Sequence, residues 1–304
     1  MIRARTLVYG ALSALMLLGL AGCGASARPS HPPESTPTLK VHLDSQSVLS
    51  TLPVVLAREL GFFQDAHLHV KWTTQQDAQV TVGAAGSVWP IVGYVAIRPD
   101  FVLMSPVPDP HFRLRALNAL PMVYAAKLKP DRALLEKILR AHRAQVTQWN
   151  SLTFSQIESL WKRRHLPWVV VTLHQASILR SLDPHSAVLA WLGASTGPIP
   201  STVVTAPVDN LDVVHFLDAL NLALWYLHTT APRTVASDLS GQGPHQLWTS
   251  TIKAALHYQY WPATTFPDSL SYNRSRTLWT PTWPIYTEGV NRQPAHQALL
   301  DSGA

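Results

Sequence analysis

The chain has 304 residues, 47% of them hydrophobic and only 14% charged, with a formal net charge of +6 and 14 histidines. That apolar content excludes a disordered chain. The basic residues fall in small separate groups (113–115, 140–143 and 162–165), which read as solvated helix faces rather than a nucleic-acid surface. A single cysteine excludes a disulfide framework, a cysteine metal site and, after the processing argued below, a cysteine nucleophile.

Residues 1–22 place Arg3 and Arg5 ahead of an apolar run from Leu7 to Leu20, the layout of a signal peptide. The run is shorter than the about 20 apolar residues a membrane span needs. It ends in Leu20-Ala-Gly-Cys23, which resembles the lipobox of bacterial lipoproteins. The resemblance implies a diacylglycerol on Cys23 and a protein held at the extracytoplasmic face of the cell membrane. The plainer alternative is an ordinary signal peptide with a chance cysteine. Residues 23–38 are small, polar and Pro-rich, and read as a flexible tether.

The organised body starts at Leu39. Leu39, Val41 and Leu43 alternate with polar residues, as in a strand. Pro53 suits the first turn of a helix that runs to about Leu60, and Gly61 suits its end. Leu68, Val70 and Trp72 alternate again, so 39–72 reads as a βαβ unit with parallel strands. Next come a short strand at Gln79–Gly83, a small-residue turn, a helix at Val88–Ala96 with Pro90 in its first turn, and a strand at Phe101–Ser105. Pro106-Val-Pro-Asp-Pro110 is a stiff connector and the expected crossing into a second lobe.

In that lobe the pattern gives a strand at Met122–Ala125, helices at Pro130–His142 and Ser155–Arg164, and strands at Trp168–Leu173 and from Ser186. Pro198–Pro207 reads as the return crossing. Asn210–His228 is the longest helical pattern, followed by helices at Pro232–Leu239 and Leu247–Tyr258. Residues 269–304, rich in Pro, Trp and Tyr, show little periodicity and read as a strap over the first lobe.

Two stretches carry a family resemblance. Ala57-Arg-Glu-Leu-Gly61-Phe-Phe63, followed by Leu68-His-Val70, resembles the opening of the nitrate/sulfonate/taurine type of ABC-transporter substrate-binding protein, a group that includes binders of thiamine-pyrimidine precursors. The family usually has a glycine before the second strand, where this chain has Ala66-His67. The long helix, Ala231-Pro-Arg-Thr-Val-Ala236, the next helix and Trp261-Pro262 resemble the family's C-terminal part.

The resemblance implies an α/β, two-lobe periplasmic-binding-protein type II fold, each lobe a sheet flanked by helices, with a ligand cleft between them. It places lobe 1 at 39–107 plus 205–304 and lobe 2 at 108–204. It also implies a monomeric, extracytoplasmic solute receptor working with an ABC permease and ATPase, capturing a sulfonate, nitrate, taurine or pyrimidine-like solute by lobe closure. A lipid-anchored sensor or scaffold on the same fold is the alternative.

An enzyme is the least expected reading. No Gly-x-Ser-x-Gly, His-Glu-x-x-His, Gly-x-Gly-x-x-Gly or phosphate-loop pattern occurs. The His67/His69 spacing offers two metal ligands at most, where a site needs three or four, so neither a metal nor a cofactor is expected. Ligands in open α/β sheets bind outside the carboxyl ends of strands. The candidate contacts are therefore Gln46, Ser47 and Thr51 after the first strand, Thr74 and Gln75 after the second, and Ser87 with Trp89 after the third. Asn150 and His174 are expected to face them from the second lobe. Trp89 either stacks on a planar ligand or belongs to the core.

Overall fold

A computed structural model describes residues 37–44, 47–84, 90–120, 123–126, 132–207, 210–239, 241, 243–278, 284 and 286–302, with only the backbone at 287 and 302. Cys23 and the segments read above as a signal peptide and, up to residue 36, a tether lie outside the described residues.

The first sheet begins with the expected unit. Strand β1 (Thr38–Leu43) buries Leu39 and Val41 completely and leaves Thr38 and Lys40 exposed. Helix α1 (Leu52–Glu59) carries Pro53 in its first turn, where no intrahelical N–H is lost. Gly61 then adopts φ +80°, a left-handed turn that glycine enters at no steric cost. The chain continues into the single turn α2 (Phe62–Asp65) and strand β2 (His69–Trp72), which lies parallel to β1.

Strand β3 (Val80–Ala84) pairs with the other side of β1, again parallel. The next segment departs from expectation. Ile91–Ala96 is not helical but strand β4, buried along its whole length. Its apolar run is β-branched and aromatic, a composition that fits a strand covered on both faces better than a helix.

Strand β5 (Phe101–Ser105) already belongs to the second sheet. The chain therefore changes sheets at Ile97–Asp100, ahead of the Pro106–Pro110 connector that sequence singled out. A proline-rich segment is only a stiff surface turn here, because β5 has found its partners before reaching it. The second sheet adds β6 (Val123–Ala126), β7 (Trp149–Leu152), β8 (Val169–Thr172) and β9 (Ala187–Trp191). Strand β10 (Thr202–Thr205) returns to the first.

The two sheets repeat one plan, with orders β2-β1-β3-β10-β4 and β7-β6-β8-β5-β9. In each, three parallel strands are followed by one antiparallel strand that has just arrived from the other sheet. The crossings also bond to each other: the N–H groups of Ile199 and Ser201 donate to the carbonyls of Ile97 and Ala96 at 2.8 and 2.9 Å. Trp191 Nε1 donates to the Pro99 carbonyl at 3.3 Å.

Around the second sheet lie α3 (Arg132–Ala141), α4 (Phe154–Lys162) and α5 (Leu173–Leu182). Helices α4 and α5 each start in a capping box, Thr153 with Gln156 and Thr172 with Gln175, which satisfies two otherwise orphaned donors. Strand β8 is Val-Val-Val-Thr because both its faces are covered. Val169 and Val171 join one apolar cluster and Val170 the other.

The long helix α6 (Leu211–Thr229) packs on α1, α2 and β1. After α7 (Pro232–Asp238), helix α8 (His245–His257) packs on α5 and α7. The C-terminal helices thus do not all rejoin the first sheet. Segment 269–304 is also more regular than its sequence suggested. It forms α9 (Ser269–Leu278), the short turn α10 (Tyr286–Gly289) and α11 (Gln293–Ser302), and α11 lies on α6 and β4. The Asp268 carboxylate accepts from the Ser271 N–H at 2.7 Å, a start signal present in the sequence.

The crossings are packed backbone on backbone. A Cβ at Gly193 would lie 1.7 Å from the Pro99 carbonyl oxygen. Since that obstacle is main chain, Gly193→Ala is expected to cost at least the about 1–3 kcal/mol of ordinary overpacking. A urea titration showing no loss of stability would contradict this packing.

Candidate functional site

The crossings enclose a pocket of about 50 Å³. That is a few times the ~10–15 Å³ that admits one water, so it has room for a small polar group. Asp44, Ser47 and Ser50 reach it from the segment after β1, and Ala84 from the end of β3. Pro99, Asp100 and Phe101 come from the first crossing, Ser201 and Thr202 from the second, and Tyr260 from the segment after α8. The pocket therefore lies at the carboxyl ends of β1 and β3 and touches both connections between the sheets, where a doubly wound architecture leaves its crevice.

Asp100 is its most constrained group. The residue is 7% exposed, and its carboxyl accepts a hydrogen bond from Ser47 Oγ at 2.7 Å. Its main-chain carbonyl accepts from Leu173 N–H at 2.9 Å, the first residue of α5. Burial pushes its carboxyl above the usual carboxylate range, and the bond from Ser47 offsets part of that push. The hydroxyls around it are oriented: Ser50 Oγ donates to the Ser47 carbonyl at 2.7 Å and Ser201 Oγ to the Arg98 carbonyl at 2.8 Å. Arg98 itself bonds the carbonyls of Ala194 (3.1 Å) and Gln259 (3.3 Å).

Of the residues singled out in sequence, the structure brings Ser47 to this pocket. Gln46, Ser87 and Trp89 lie outside the described residues, in segments that adjoin the lining residues Asp44, Ser47 and Ala84. Thr51 is buried beside Ser50 at the start of α1, where its hydroxyl approaches the Val48 carbonyl at 3.4 Å. Thr74 and Gln75 sit after β2, and Thr74 Oγ1 approaches Asp77 Oδ2 at 3.4 Å. None of these three lines the pocket.

Asn150 lies in β7, an edge strand paired with β6 through Tyr124, and not in a loop. His174 is in the first turn of α5, stacked on Trp248 with ring centroids 4.5 Å apart. There it belongs to the α5–α8 interface, with Thr251 Oγ1 donating to Ser177 Oγ at 2.8 Å beside it. Sequence reasoning missed Asp100, Ser201, Thr202 and Tyr260. The available signal was Pro99-Asp100, an acidic residue set directly against a strand that opens with four apolar residues.

Among the described residues no group of three or more His, Cys, Asp or Glu could hold a metal ion.

This architecture is the periplasmic-binding-protein fold: two mixed sheets flanked by helices, joined by two crossings with a pocket at them. Solved structures of that fold superpose on most of the chain. The alkanesulfonate-binding protein SsuA of Xanthomonas axonopodis pv. citri, solved with MOPS, is 13% identical with a TM-score of 0.59 and covers 84% of this chain and 98% of its own. The aliphatic sulphonate-binding protein SsuA of Escherichia coli is also 13% identical, with a TM-score of 0.58 and coverage of 85% and 91%. The ligand-binding component of an ABC-type import system from Staphylococcus aureus, solved with zinc, is 10% identical, with a TM-score of 0.59 and coverage of 86% and 99%. No protein-family model matches the chain, and no curated protein matches it in sequence.

Two titrations follow from these positions. Because folding raises the Asp100 pKa, the native state holds its proton more tightly than the unfolded chain, and stability falls as pH rises past the unfolded value of about 4. Asp100→Asn is therefore expected to raise the Tm of the ligand-free protein at pH 7, with the gain vanishing near pH 4. A lower Tm at pH 7 would contradict the burial argument. Burial shifts His174 the other way, below the usual histidine range. Its contribution is present above about pH 6.5 and lost as pH falls through that value toward its lowered pKa. His174→Phe should flatten the stability profile over that window, as urea titrations at pH 5 and pH 8 would reveal.

Proposed function

We propose that this chain is the extracytoplasmic solute-binding component of an ABC importer of the nitrate/sulfonate/taurine type, holding a small organic solute or oxyanion as the two sheets close about their crossings. The observation that carries this reading is the pocket's position. It is built from both crossings and from the strand ends of the first sheet, so rotation about Ile97–Asp100 and Leu192–Ser201 would change its shape directly.

The neighbours whose function is stated are binding proteins for sulfonates and nitrate and a component of an import system, which supports a receptor over an enzyme. Ser47 is proposed as a ligand contact together with the pocket residues Asp100, Ser201, Thr202 and Tyr260. Gln46, Ser87 and Trp89 are retained as proposed contacts because they stand close in sequence to the lining residues Ser47 and Ala84. A permease and an ATPase are the implied partners.

Anchoring is proposed through a diacylglycerol on Cys23, at the end of the Leu20-Ala-Gly-Cys23 motif. Two acyl chains hold a protein far more firmly than one, at about 0.8 kcal/mol per buried methylene. In this reading Cys23→Ser releases the protein from the membrane fraction upon cell fractionation, and retention equal to the parent's would rule the lipid anchor out. The receptor itself is tested by a thermal-shift screen of sulfonates, nitrate, pyrimidines, amines and amino acids. A true ligand at a hundred times its Kd stabilises the native state by about 2.7 kcal/mol. A screen in which no solute shifts the Tm would count against solute capture.

A further inference from the structure

We infer that the pocket at the crossings takes the positively charged head of a small amine- or ammonium-bearing solute, with Asp100 as its counter-ion. This rests on the receptor reading and narrows its ligand class. The charged side chains among the lining residues are Asp44 and Asp100, and no Lys, Arg or His lines the pocket among the described residues. Arg98, two residues from Asp100, is held by the carbonyls of Ala194 and Gln259.

The hydroxyl protons add a second, independent argument. A serine hydroxyl has one proton to donate and two lone pairs to accept with. Ser47 gives its proton to Asp100, Ser50 to the Ser47 carbonyl and Ser201 to the Arg98 carbonyl. Ser50 and Ser201 are thereby left to meet a ligand as acceptors. An ammonium group brings donors and no acceptors, whereas a sulfonate or nitrate brings acceptors and no donors. Phe101 and Tyr260 are also among the lining residues.

Asp100 is 7% exposed, so ionising its carboxyl is costly, and the bonds from the Ser47 hydroxyl and from its own main-chain N–H return only part of that cost. A cation arriving in the pocket supplies the missing partner. The titratable groups beside Asp100 in this pocket are Asp44, from the segment after β1, and Tyr260, from the segment after α8. As Asp100 ionises with rising pH, affinity for a cation rises. Affinity for an oxyanion bound to the protonated acid falls.

The test uses the full-length protein in detergent. Methylamine, ethanolamine and putrescine are compared with methanesulfonate and nitrate by thermal shift and calorimetry at pH 5 and pH 8. At least one amine is expected to raise the Tm and to bind more tightly at pH 8. Asp100→Asn, expected to fold and to be more stable unliganded, should weaken that binding at least tenfold and remove its pH dependence. Binding of an amine that Asp100→Asn leaves unchanged would overturn the assignment of Asp100. Binding of an oxyanion or neutral solute with no response to the amines would overturn the cation class alone and leave the receptor reading in place. Silence from the amines and from every solute of the wider screen would overturn both.

Discussion

The constraint on which the fold depends is that each sheet is completed by a strand from the other half of the chain. β10 enters the first sheet between β3 and β4, and β5 enters the second between β8 and β9. Neither half can satisfy its backbone hydrogen bonds without the other half's strand. The two connections are consequently short, mutually bonded and drawn against each other, which is why residue 193 has no space for a side chain beside Pro99. The same closeness makes the pocket: side chains 44, 47, 100, 201 and 260, far apart in sequence, converge because the crossings do.

Much of this was legible in sequence wherever a local rule sufficed. The alternation at 39–43, the proline at α1, the left-handed Gly61 and the triple valine of β8 each follow from sterics or burial within a few residues. Where the sequence misled, the deciding partner was distant. With Pro90 taken as a first-turn proline, Val88–Ala96 reads as a helix, but pairing with β10 and the bridge from Val290 hold Ile91–Ala96 as a strand. The Pro106–Pro110 run looked like a domain boundary by stiffness alone, while the real boundary is set by which strands accept β5. The capping signals at Thr172–Gln175 and Asp268–Ser271 were present, and weighing them would have given α5 and α9.

The site was legible only in part for the same reason. Ser47 could be found because it follows a recognisable strand. His174 also follows a strand, but an aromatic partner 74 residues away in the chain, Trp248, draws its ring into the α5–α8 interface instead. Asp100 and Ser201 carry no motif. Their significance lies in two crossings meeting, which is a property of topology and not of spacing.

Asp100 is where topology and electrostatics coincide. Its carboxylate is bonded by Ser47, beside the first sheet, and its carbonyl by the first N–H of α5, beside the second. A residue so placed feels both lobes through separate atoms. Any change in its charge or in what neutralises it acts at the point about which the lobes would turn. A buried carboxylate is poor for stability at neutral pH, and apolar packing would serve the ligand-free fold better. Retaining it there makes sense if the protein draws on the cost of that unmatched charge to favour the liganded state, since a ligand shifts a two-state equilibrium only by its differential affinity for the two states.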